Sequence, residues 1–568
     1  MARITYTLSF PRPSNHLVDV EIEIREAHAP FIDLVMPAWI PGSYRIRDFG
    51  RNVQEFRAGR FRKIDKSTWR VETGGRGTVR ARYRVYAFEL SVRTSHVDGD
   101  HAHLNPAGLC MYVSGRMDEP CAIRIKAPRG WKVATGLPRG NGGWVADSYD
   151  HLADSPIEVS NFLRSEFKVR GRSHEFVVCG PGNYELKGLV RDSAKIVEAG
   201  ARLFGSLPYD RYLFILHPTD GIGGGLEHRN STSLMFPRLD FKPRDNYRRA
   251  LNLIAHEYFH LWNVKRILPQ AFRPYDYTRE VYTDLLWLME GFTDYYALLL
   301  VARAGLITAK EVRENLGKWF EGYHQKPGRN LQSLTESSLD TWIKLYQPNE
   351  HSVNSMMSYY EKGKIVGLIL DLEIRARSRG RRSLDDVMRG LMRDFAAKGR
   401  GIARGEVIAL AEEAAGGSLS GFFRDYVDGV KPLPLDRALR TVGLSVGVGG
   451  DNASKKGTLG VISHKGHDRI MLTSVLTGSP AEQAGLSAQD EIVAVNGLKA
   501  TPETWDRILE HSPPGRMLGL QLFRSGRFKS FKVRLASAPK LPSKVGPVAK
   551  PTASVRAAHR SWLGLPLQ

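Results

Sequence analysis

Cysteine is scarce in this sequence, with three residues among 568: Cys110, Cys121 and Cys179. An odd number with no Cys-x-x-Cys spacing argues against a disulfide framework and against a metal site built from thiolates. We interpret all three cysteines as small buried side chains.

Long hydrophobic runs are also lacking. No stretch approaches the roughly 20 apolar residues that a membrane-spanning helix requires. The N-terminal segment, residues 1–10, lacks the apolar core and cleavage site of a signal peptide. These absences predict a protein of the cytoplasm that has no membrane span.

The sequence has no long basic block, although its formal net charge is +22. Lys and Arg are spread along the whole chain, which favours a generally basic surface over a specific nucleic-acid site. Hydrophobic residues make up 42% and charged residues 25% of the chain, as is typical of soluble globular proteins with large cores.

Residues 1–170 have the pattern of a β-rich domain. Apolar and charged residues alternate with a period of two, which is typical of half-buried strands. Turn-forming residues separate these stretches. The pattern predicts an antiparallel, sandwich-like domain with strands at Val18–Ile24, Val79–Val85 and Ala122–Ala127.

Residues 171–435 change character after a glycine-rich loop, Gly221–Gly225. Long stretches with helical periodicity follow, several of them apolar nearly all round, which is typical of buried helices. They predict helices at Tyr247–Ile267, Thr283–Ala304, Gly363–Ser378 and Leu384–Ala397.

The end of the chain has two further parts. Residues 440–537 have a small α+β pattern. Residues 538–568 are rich in Pro, Lys, Ala and Ser with little periodicity, which predicts a flexible basic tail. The whole chain is therefore predicted to be a multidomain α+β protein.

The segment Leu251–Trp262 contains a His-Glu-x-x-His motif in a helical pattern free of Gly and Pro. On a helix, His256 and His260 lie one turn apart on the same face, so both imidazoles reach one cation. Glu257 beside them is placed to act as a base on water. This arrangement is what metal-assisted hydrolysis requires.

A zinc site for catalysis needs a third protein ligand and an open position. Glu290 lies in the middle of an apolar helical segment, where an unpaired carboxylate is costly to bury. We therefore predict Glu290 as the third ligand. Asp294, one turn later, is either a hydrogen-bond partner of a liganding histidine or a surface aspartate.

Two other segments fit a site for metal-assisted hydrolysis. Gly224 and Gly225 would let a substrate backbone approach closely, and Glu227 could hold a free amino group. Tyr360 could donate a hydrogen bond to a developing oxyanion, with Tyr359 as the alternative. Taken alone, Glu227 is also typical of a turn, and a Tyr-Tyr pair is more often a packing feature than a catalytic one.

Together these motifs resemble the gluzincin clan of metallopeptidases and, more closely, the glycyl aminopeptidase family. The segments that carry the resemblance are Pro37–Phe49, Gly223–His228, His256–Arg266, Trp287–Thr293 and Tyr360–Gly363. The resemblance implies a thermolysin-like catalytic domain joined to a PDZ domain, and it covers nearly the whole chain apart from the tail.

The resemblance also implies a role for each matched residue. His256, His260 and Glu290 would bind one Zn²⁺, with Asp284 as a fallback ligand because the gap after His260 is long. Roles without metal contact follow for three more residues: Glu257 as general base, Tyr360 as oxyanion donor and Glu227 as anchor of the substrate N-terminus. Small N-terminal residues such as Gly or Ala would be preferred.

The part from 440 to 537 resembles a bacterial-type PDZ domain through Gly478–Leu486 and Asp490–Gly497. Such domains bind an extended C-terminal peptide by strand addition. Leu459-Gly460-Val461 is the predicted carboxylate loop. A PDZ fold that only packs against the catalytic domain is the alternative.

Two other functions remain open from the sequence. A zinc endopeptidase would use the same metal site without an amine anchor. A PDZ scaffold with a structural metal site would bind peptides without cleaving them. The sequence does not indicate the oligomeric state.

Overall fold

The computed structural model describes residues 2–75, 77–449, 456–466 and 469–567. The chain divides into two compact units. The first consists of Met1–Thr283, Tyr296–Ile307 and Val387–Val407. The second consists of Asp284–Tyr295, Thr308–Asp386 and Ile408–Gln568.

The first unit begins with a β-rich region. Its seven-stranded sheet has the order β13-β14-β11-β1-β2-β7-β4, and two four-stranded sheets have the orders β10-β3-β6-β5 and β12-β15-β9-β8. The elements are β1 (Ile4–Ser9), β2 (Leu17–Ala27), β3 (Phe31–Val35), β4 (Val53–Arg57), β5 (Phe61–Lys63), β6 (Thr68–Glu72), β7 (Gly77–Tyr86), β8 (His96–Val97), β9 (His101–Leu104), β10 (Tyr112–Val113), β11 (Cys121–Lys126), β12 (Lys132–Thr135), β13 (Arg139–Gly140), β14 (Gly143–Ala146), α1 (Tyr149–Ala153) and β15 (Ile157–Ser160).

The predicted strands are confirmed in this region. Strand β2 buries every second residue from Val18 to Ile24, so one face enters the core and the charged face meets solvent. Cys110 and Cys121 are buried free thiols, as interpreted from the sequence, whereas Cys179 is a free thiol that is only partly buried.

A five-stranded sheet follows in the first unit, with the order β16-β17-β18-β20-β19. Strands β17, β18 and β20 run parallel, and the short edge strand β19 is antiparallel to β20. The elements are β16 (Leu163–Val169), β17 (Arg172–Val178), α2 (Leu186–Phe204), β18 (Arg211–Thr219), β19 (Gly224–Glu227), β20 (Ser231–Pro237) and α3 (Arg244–Phe259).

Helix α3 ends at Phe259, several residues before the predicted end at Ile267. His260 is its C-cap, and the chain after it turns through hydrogen-bonded loops rather than continuing as a helix. The helix packs on α2, where Gly200 leaves room for Trp262: a Cβ on this glycine would lie 2.8 Å from the indole ring.

The helical region that follows confirms the predicted helices with shifted ends. A π-helical turn at Trp287–Phe292 precedes α4. The helices are α4 (Thr293–Arg303), α5 (Ala309–His324), α6 (Leu334–Leu339), α7 (Ser352–Ser355), α8 (Tyr359–Arg377), α9 (Leu384–Asp394), α10 (Arg404–Ala415), α11 (Ser420–Phe422) and α12 (Leu435–Arg440).

The second unit contains the PDZ region. Its sheet has the order β23-β24-β25-β27-β28, with β26 paired to β25. A separate core, which includes Trp505 and Leu520, fills the space between this sheet and its helices. The elements are β21 (Leu444–Val448), β22 (Gly457–Thr458), β23 (Val461–Lys465), β24 (Ile470–Val475), α13 (Pro480–Gln483), β25 (Glu491–Val495), β26 (Leu498–Lys499), α14 (Pro502–Glu510), β27 (Met517–Arg524), β28 (Arg527–Arg534) and β29 (Ala536–Ser537).

The expected flexible tail at 538–568 is wrong for the residues that the structure describes. Strand β30 (Pro542–Pro547) pairs with β21, and α15 (Ala553–Leu563) buries Trp562 completely. The indole Nε1 of Trp562 donates to Tyr295 Oη at 2.8 Å. The segment is rich in polar residues, but pairing of β30 with β21 and burial of Trp562 and Leu563 are enough to hold it in a defined position.

The fold class is thus the predicted one: a β-rich N-terminal region, a mostly helical middle region and a C-terminal PDZ region. The boundaries at 170, 435, 440 and 537 stay predictions. Across the described residues, no helix is both long enough and apolar enough to cross a membrane.

Candidate active site

The two histidines of the motif converge at the end of helix α3. His260 Nδ1 donates to the carbonyl oxygen of Asn263 at 2.8 Å, so its Nε2 carries the lone pair. This Nε2 lies 3.1 Å from His256 Nε2. Two imidazole nitrogens facing one point at this separation match the spacing of two ligands on a tetrahedral zinc ion.

Two sets of contacts hold the end of helix α3 in place. Tyr258 Oη hydrogen-bonds Tyr209 Oη at 2.6 Å, and that hydroxyl in turn meets His174 Nε2 at 2.8 Å. Phe259 stacks on Tyr296 with ring centroids 4.5 Å apart. Such packing restricts the rotamers of residues next to His256 and His260, and a precise metal site requires support of this kind.

Glu257 is buried and lies under the edge strand β19. A Cβ added to Gly225 would lie 2.2 Å from the carboxyl carbon of Glu257. Only glycine lets this strand pass so close. The glycine-rich loop predicted from the sequence therefore fits against the proposed base.

Glu227, at the end of strand β19, is buried next to the same group. Glu227, Glu257 and His260 each place a side-chain ligand atom within 4.8 Å of the others. Glu227 Oε1 makes no hydrogen bond to any residue that the structure describes. A buried carboxylate oxygen with an unused lone pair marks a place for a cationic ligand group.

Lys265 and Asp154 lie next to Glu227, and the sequence motifs did not predict either of them as part of the site. Lys265 Nζ donates to Asp154 Oδ1 at 2.8 Å and lies 4.0 Å from Glu227 Oε1. Burial alone would lower the pKa of Lys265, but the charges of Asp154 and Glu227 outweigh it and raise the pKa. Lys265 is therefore a permanent cation here.

The partners of Asp154 explain why it stays ionised. It accepts from His228 Nδ1 at 3.1 Å and from the backbone N–H of Arg229 at 2.8 Å. Burial raises the pKa of Asp154, yet Lys265 and His228 lower it by more. The sequence marks His228 only as the residue after Glu227, and no local pattern connects it to Asp154.

The N-terminal signature segment contributes Gly42 to the same place. Its φ is +87°, and a Cβ there would lie 2.6 Å from Glu227 Oε1. A side chain at this position would be strained and would displace the carboxylate. This contact brings the segment Pro37–Phe49 of the β-rich region against Glu227.

In the second unit, Glu290 is buried in the π-helical turn Trp287–Phe292. This turn crosses helix α8 at two glycines: a Cβ on Gly291 would lie 2.6 Å from the backbone of Gly363. The close crossing places Tyr360, at the start of α8, in the electrostatic field of Glu290. Irregular π turns of this kind are frequent at functional sites.

Tyr359 and Tyr360 differ in their partners. Tyr359 is completely buried, and its hydroxyl shares a hydrogen bond with Thr341 Oγ1 at 3.0 Å. Tyr360 is buried less completely. Burial and the charge of Glu290 raise the pKa of Tyr360 well above its usual value, so its hydroxyl keeps its proton as a donor.

Asp294 and Asp284, the two secondary candidates, also lie in the second unit. Asp294 Oδ2 accepts from Lys364 Nζ at 3.1 Å. Asp284 is partly buried just before the π-helical turn.

Three family models match the chain. Residues 5–161 match the Peptidase M61 N-terminal domain, residues 249–366 match the M61 glycyl aminopeptidase, and residues 471–518 match a PDZ domain. No curated protein sequence matches the chain.

Among solved structures, an aminopeptidase N family protein from Idiomarina loihiensis is similar, with 32% sequence identity and a TM-score of 0.93. The match covers 99% of this chain and 100% of that one. An M1 zinc metallopeptidase from Deinococcus radiodurans, bound to a Tyr-Ser-Ala substrate, has 15% identity and a TM-score of 0.49. It matches over 76% of this chain and 94% of that one, and a likeness this weak carries no argument about chemistry.

The three matched regions follow one another in the same order as the motifs along the chain. The Idiomarina structure is similar over nearly the full length and therefore contains all three regions in one chain. The chain therefore belongs to the M61 glycyl aminopeptidase family, and it is a zinc-dependent metallo-aminopeptidase with a PDZ domain.

Proposed function

We propose that the enzyme removes single N-terminal residues from peptides, with small residues such as Gly and Ala preferred. Glu227 Oε1, which has no hydrogen bond among the described residues, carries this proposal. A substrate ammonium group at this place would supply that hydrogen bond and pair with a buried charge. Lys265 does not fill the role, because Asp154 holds it at 2.8 Å.

For the metal, we propose His256, His260 and Glu290 as ligands. The converging nitrogens of the two histidines fit a zinc ion, as does their fixed tautomer. Chain connectivity favours Glu290: Tyr296, six residues later in the same helical run, stacks on Phe259 beside His260. When bound, zinc supplies Lewis-acid polarisation of water and of the substrate carbonyl.

The remaining roles belong to side chains of this protein. Glu257 takes the proton from the attacking water and delivers it to the leaving amine. Tyr360 donates a hydrogen bond to the oxyanion of the tetrahedral intermediate. Glu227 fixes the substrate N-terminus, so that the first peptide carbonyl is the one presented for attack.

The test compares alanyl and glycyl chromogenic amides with their N-acetylated forms. We expect cleavage of the free amines only, and loss of that cleavage after chelator treatment and in Glu257→Gln. Equal cleavage of both forms would show an endopeptidase and remove the anchor role of Glu227. A panel of amides from Gly to Phe measures the preference for small residues, and a higher kcat/KM for Phe would contradict it.

Glu227→Gln sharpens this test, because it keeps the shape of the side chain and removes only its charge. We expect kcat/KM for the free amines to fall about 100-fold, since charge-assisted hydrogen bonds contribute roughly 1.5–3 kcal/mol. Glu166→Gln, a change at an exposed position of strand β16, is the matched control with unchanged kinetics. An unchanged kcat/KM in Glu227→Gln would assign the ammonium to another group.

We also propose that the PDZ domain binds an extended C-terminal peptide. Strand β23 is at the end of its sheet and pairs with β24 in the described residues, which suits addition of a further strand. Gly460, with φ of +72°, opens the predicted carboxylate loop just before β23. Titration with peptides that differ only in a free or amidated C-terminus tests this; equal affinities would contradict carboxylate capture.

A further inference from the structure

A second cluster of histidine and carboxylate side chains lies in the first unit. It is built from β-strands, whereas the His-Glu-x-x-His motif lies at the end of helix α3. His101 and His103 lie on β9, Glu158 lies on β15 and His217 lies on β18. Strands β9 and β15 are paired, with Glu158 opposite His103. His217 reaches the cluster from the five-stranded sheet.

The carboxylate of Glu158 is the centre of this cluster and is completely buried. His217 Nε2 lies 3.0 Å from its Oε2, His103 Nδ1 lies 3.4 Å from the same oxygen, and His101 Nδ1 lies 3.5 Å from Oε1. Ser160 Oγ donates to Oε1 at 2.9 Å. A buried carboxylate surrounded mainly by imidazoles is an expensive arrangement unless a cation joins it.

Several ring nitrogens in the cluster have no hydrogen bond among the described residues: His101 Nδ1, His217 Nδ1 and both nitrogens of His103. His103 is fully buried, so water does not satisfy it from the surface. His101 Nδ1 and His103 Nδ1 have only their long contacts to Glu158, at 3.5 Å and 3.4 Å, whereas His103 Nε2 and His217 Nδ1 make no hydrogen bond among the described residues. Buried polar atoms left unsatisfied in this way leave room for a bound ion.

We propose that His101, Glu158 and His217 form a second metal site, for a divalent transition-metal ion such as Zn²⁺. Each offers one ligand atom, and these atoms lie within 4.8 Å of one another. Ligands held about 2.0–2.2 Å from one tetrahedral ion lie about 3.3–3.6 Å apart. Small side-chain movements would therefore bring these three ligand atoms to the spacing that one ion requires. His103 then donates to Glu158 and orients it.

The neighbouring trio His96, Asp98 and His101 is a weaker candidate for the same ion. Asp98 already accepts from His96 Nε2 at 2.9 Å and from the backbone N–H groups of Asp100 and His101. Its lone pairs are therefore engaged. Glu158 in contrast has imidazoles as its main partners, which are themselves metal ligands.

The position of the cluster indicates a structural role. An ion held by strand β9, strand β15 and strand β18 would tie a four-stranded sheet of the β-rich region to the five-stranded sheet. Strand β18 leads into the glycine-rich loop Gly221–Gly225, which continues into β19, the strand that ends at Glu227. The ion would thus stabilise the frame of the active site without contacting substrate.

The test counts metal in the full-length protein after chelation, reloading with Zn²⁺ and desalting. We expect two ions per chain in the wild type and one in His256→Ala/His260→Ala, which loses the peptidase ligands. His101→Asn and His217→Asn should also keep one ion and retain aminopeptidase activity. Reloading should raise the melting temperature of His256→Ala/His260→Ala but not of a chain that also carries His217→Asn.

A control variant and the choice of His101 as a test position make the outcome decisive. His96→Asn should keep both ions, and its loss of one ion while His217→Asn keeps both would assign the site to the neighbouring trio. Because His101 is the partly exposed member, its variant leaves the buried core unchanged and guards against misfolding. One ion in the wild type, or no ion in His256→Ala/His260→Ala, would overturn the proposal.

Discussion

Gly225 and Glu257 are in such close contact that the glycine has no room for a methyl group: its Cβ would lie 2.2 Å from the glutamate carboxyl carbon. The strand that we propose to bind substrate and the side chain that we propose to activate water are thus positioned against each other. Residues 32 positions apart in the sequence act as one feature of the site.

We expect Gly225→Ala to lower kcat/KM about 100-fold, because the methyl group pushes Glu257 by about 1 Å. Gly223→Ala is the matched control, since a Cβ there would have its closest neighbour at 3.8 Å. Circular dichroism checks that both variants fold. Equal activity in the two variants would mean that the loop moves aside freely.

Tyr360→Phe is expected to lower kcat about 100-fold with little change in KM, because the lost hydroxyl acts on the oxyanion and not on the bound substrate. Tyr359→Phe is the control within the same ring stack, 4.8 Å away. It loses the hydrogen bond to Thr341, so it should affect melting more than rate. The reverse pattern in steady-state kinetics would make Tyr359 the donor.

Acid sensitivity is expected from His174, whose ring meets Tyr209, the hydrogen-bond partner of Tyr258 on helix α3. Burial lowers the pKa of His174 to about 4, although two backbone hydrogen bonds raise it slightly. In the unfolded chain the group titrates near 6.5. Above pH 6.5 it is neutral in both states; as pH falls towards 4, only the unfolded chain takes up the proton, so the folded state loses stability.

Melting temperature measured from pH 7 to pH 4 tests this expectation. His174→Phe should flatten the decline, because it removes the group that takes up a proton on unfolding. His511→Gln, a change at an exposed histidine of the PDZ region, should leave the decline as it is in the wild type. Parallel curves for the wild type and His174→Phe would place the acid sensitivity elsewhere.

The C-terminal helix is expected to contribute to stability. Trp562→Ala removes a fully buried indole and its hydrogen bond to Tyr295, whose hydroxyl also donates to Asp371 at 2.6 Å. Large-to-small changes of this kind cost about 3–5 kcal/mol. Thermal melting should show a clear decrease, whereas Ser554→Ala on the exposed side of the same helix should show none. An unchanged melting temperature in Trp562→Ala would mean that the segment is dispensable.

Much of this protein is determined by local sequence. Alternation from Val18 to Ile24 predicts a strand because a half-buried strand needs a period of two. The spacing of His256 and His260 predicts convergent ligands because a helix repeats every 3.6 residues. The apolar surroundings of Glu290 predict a functional carboxylate because burying an unpaired charge is costly.

Tertiary structure alone decided the rest, because contacts between distant segments have no local pattern. Asp154 meets Lys265 across 111 residues, and Gly42 meets Glu227 across more than 180, so neither pair is visible in the sequence. The described tail docks through Trp562, whose partner Tyr295 lies 267 residues earlier. His101, Glu158 and His217 are scattered along the sequence. Only the pairing and packing of three strands brings the two histidines to the buried carboxylate of Glu158.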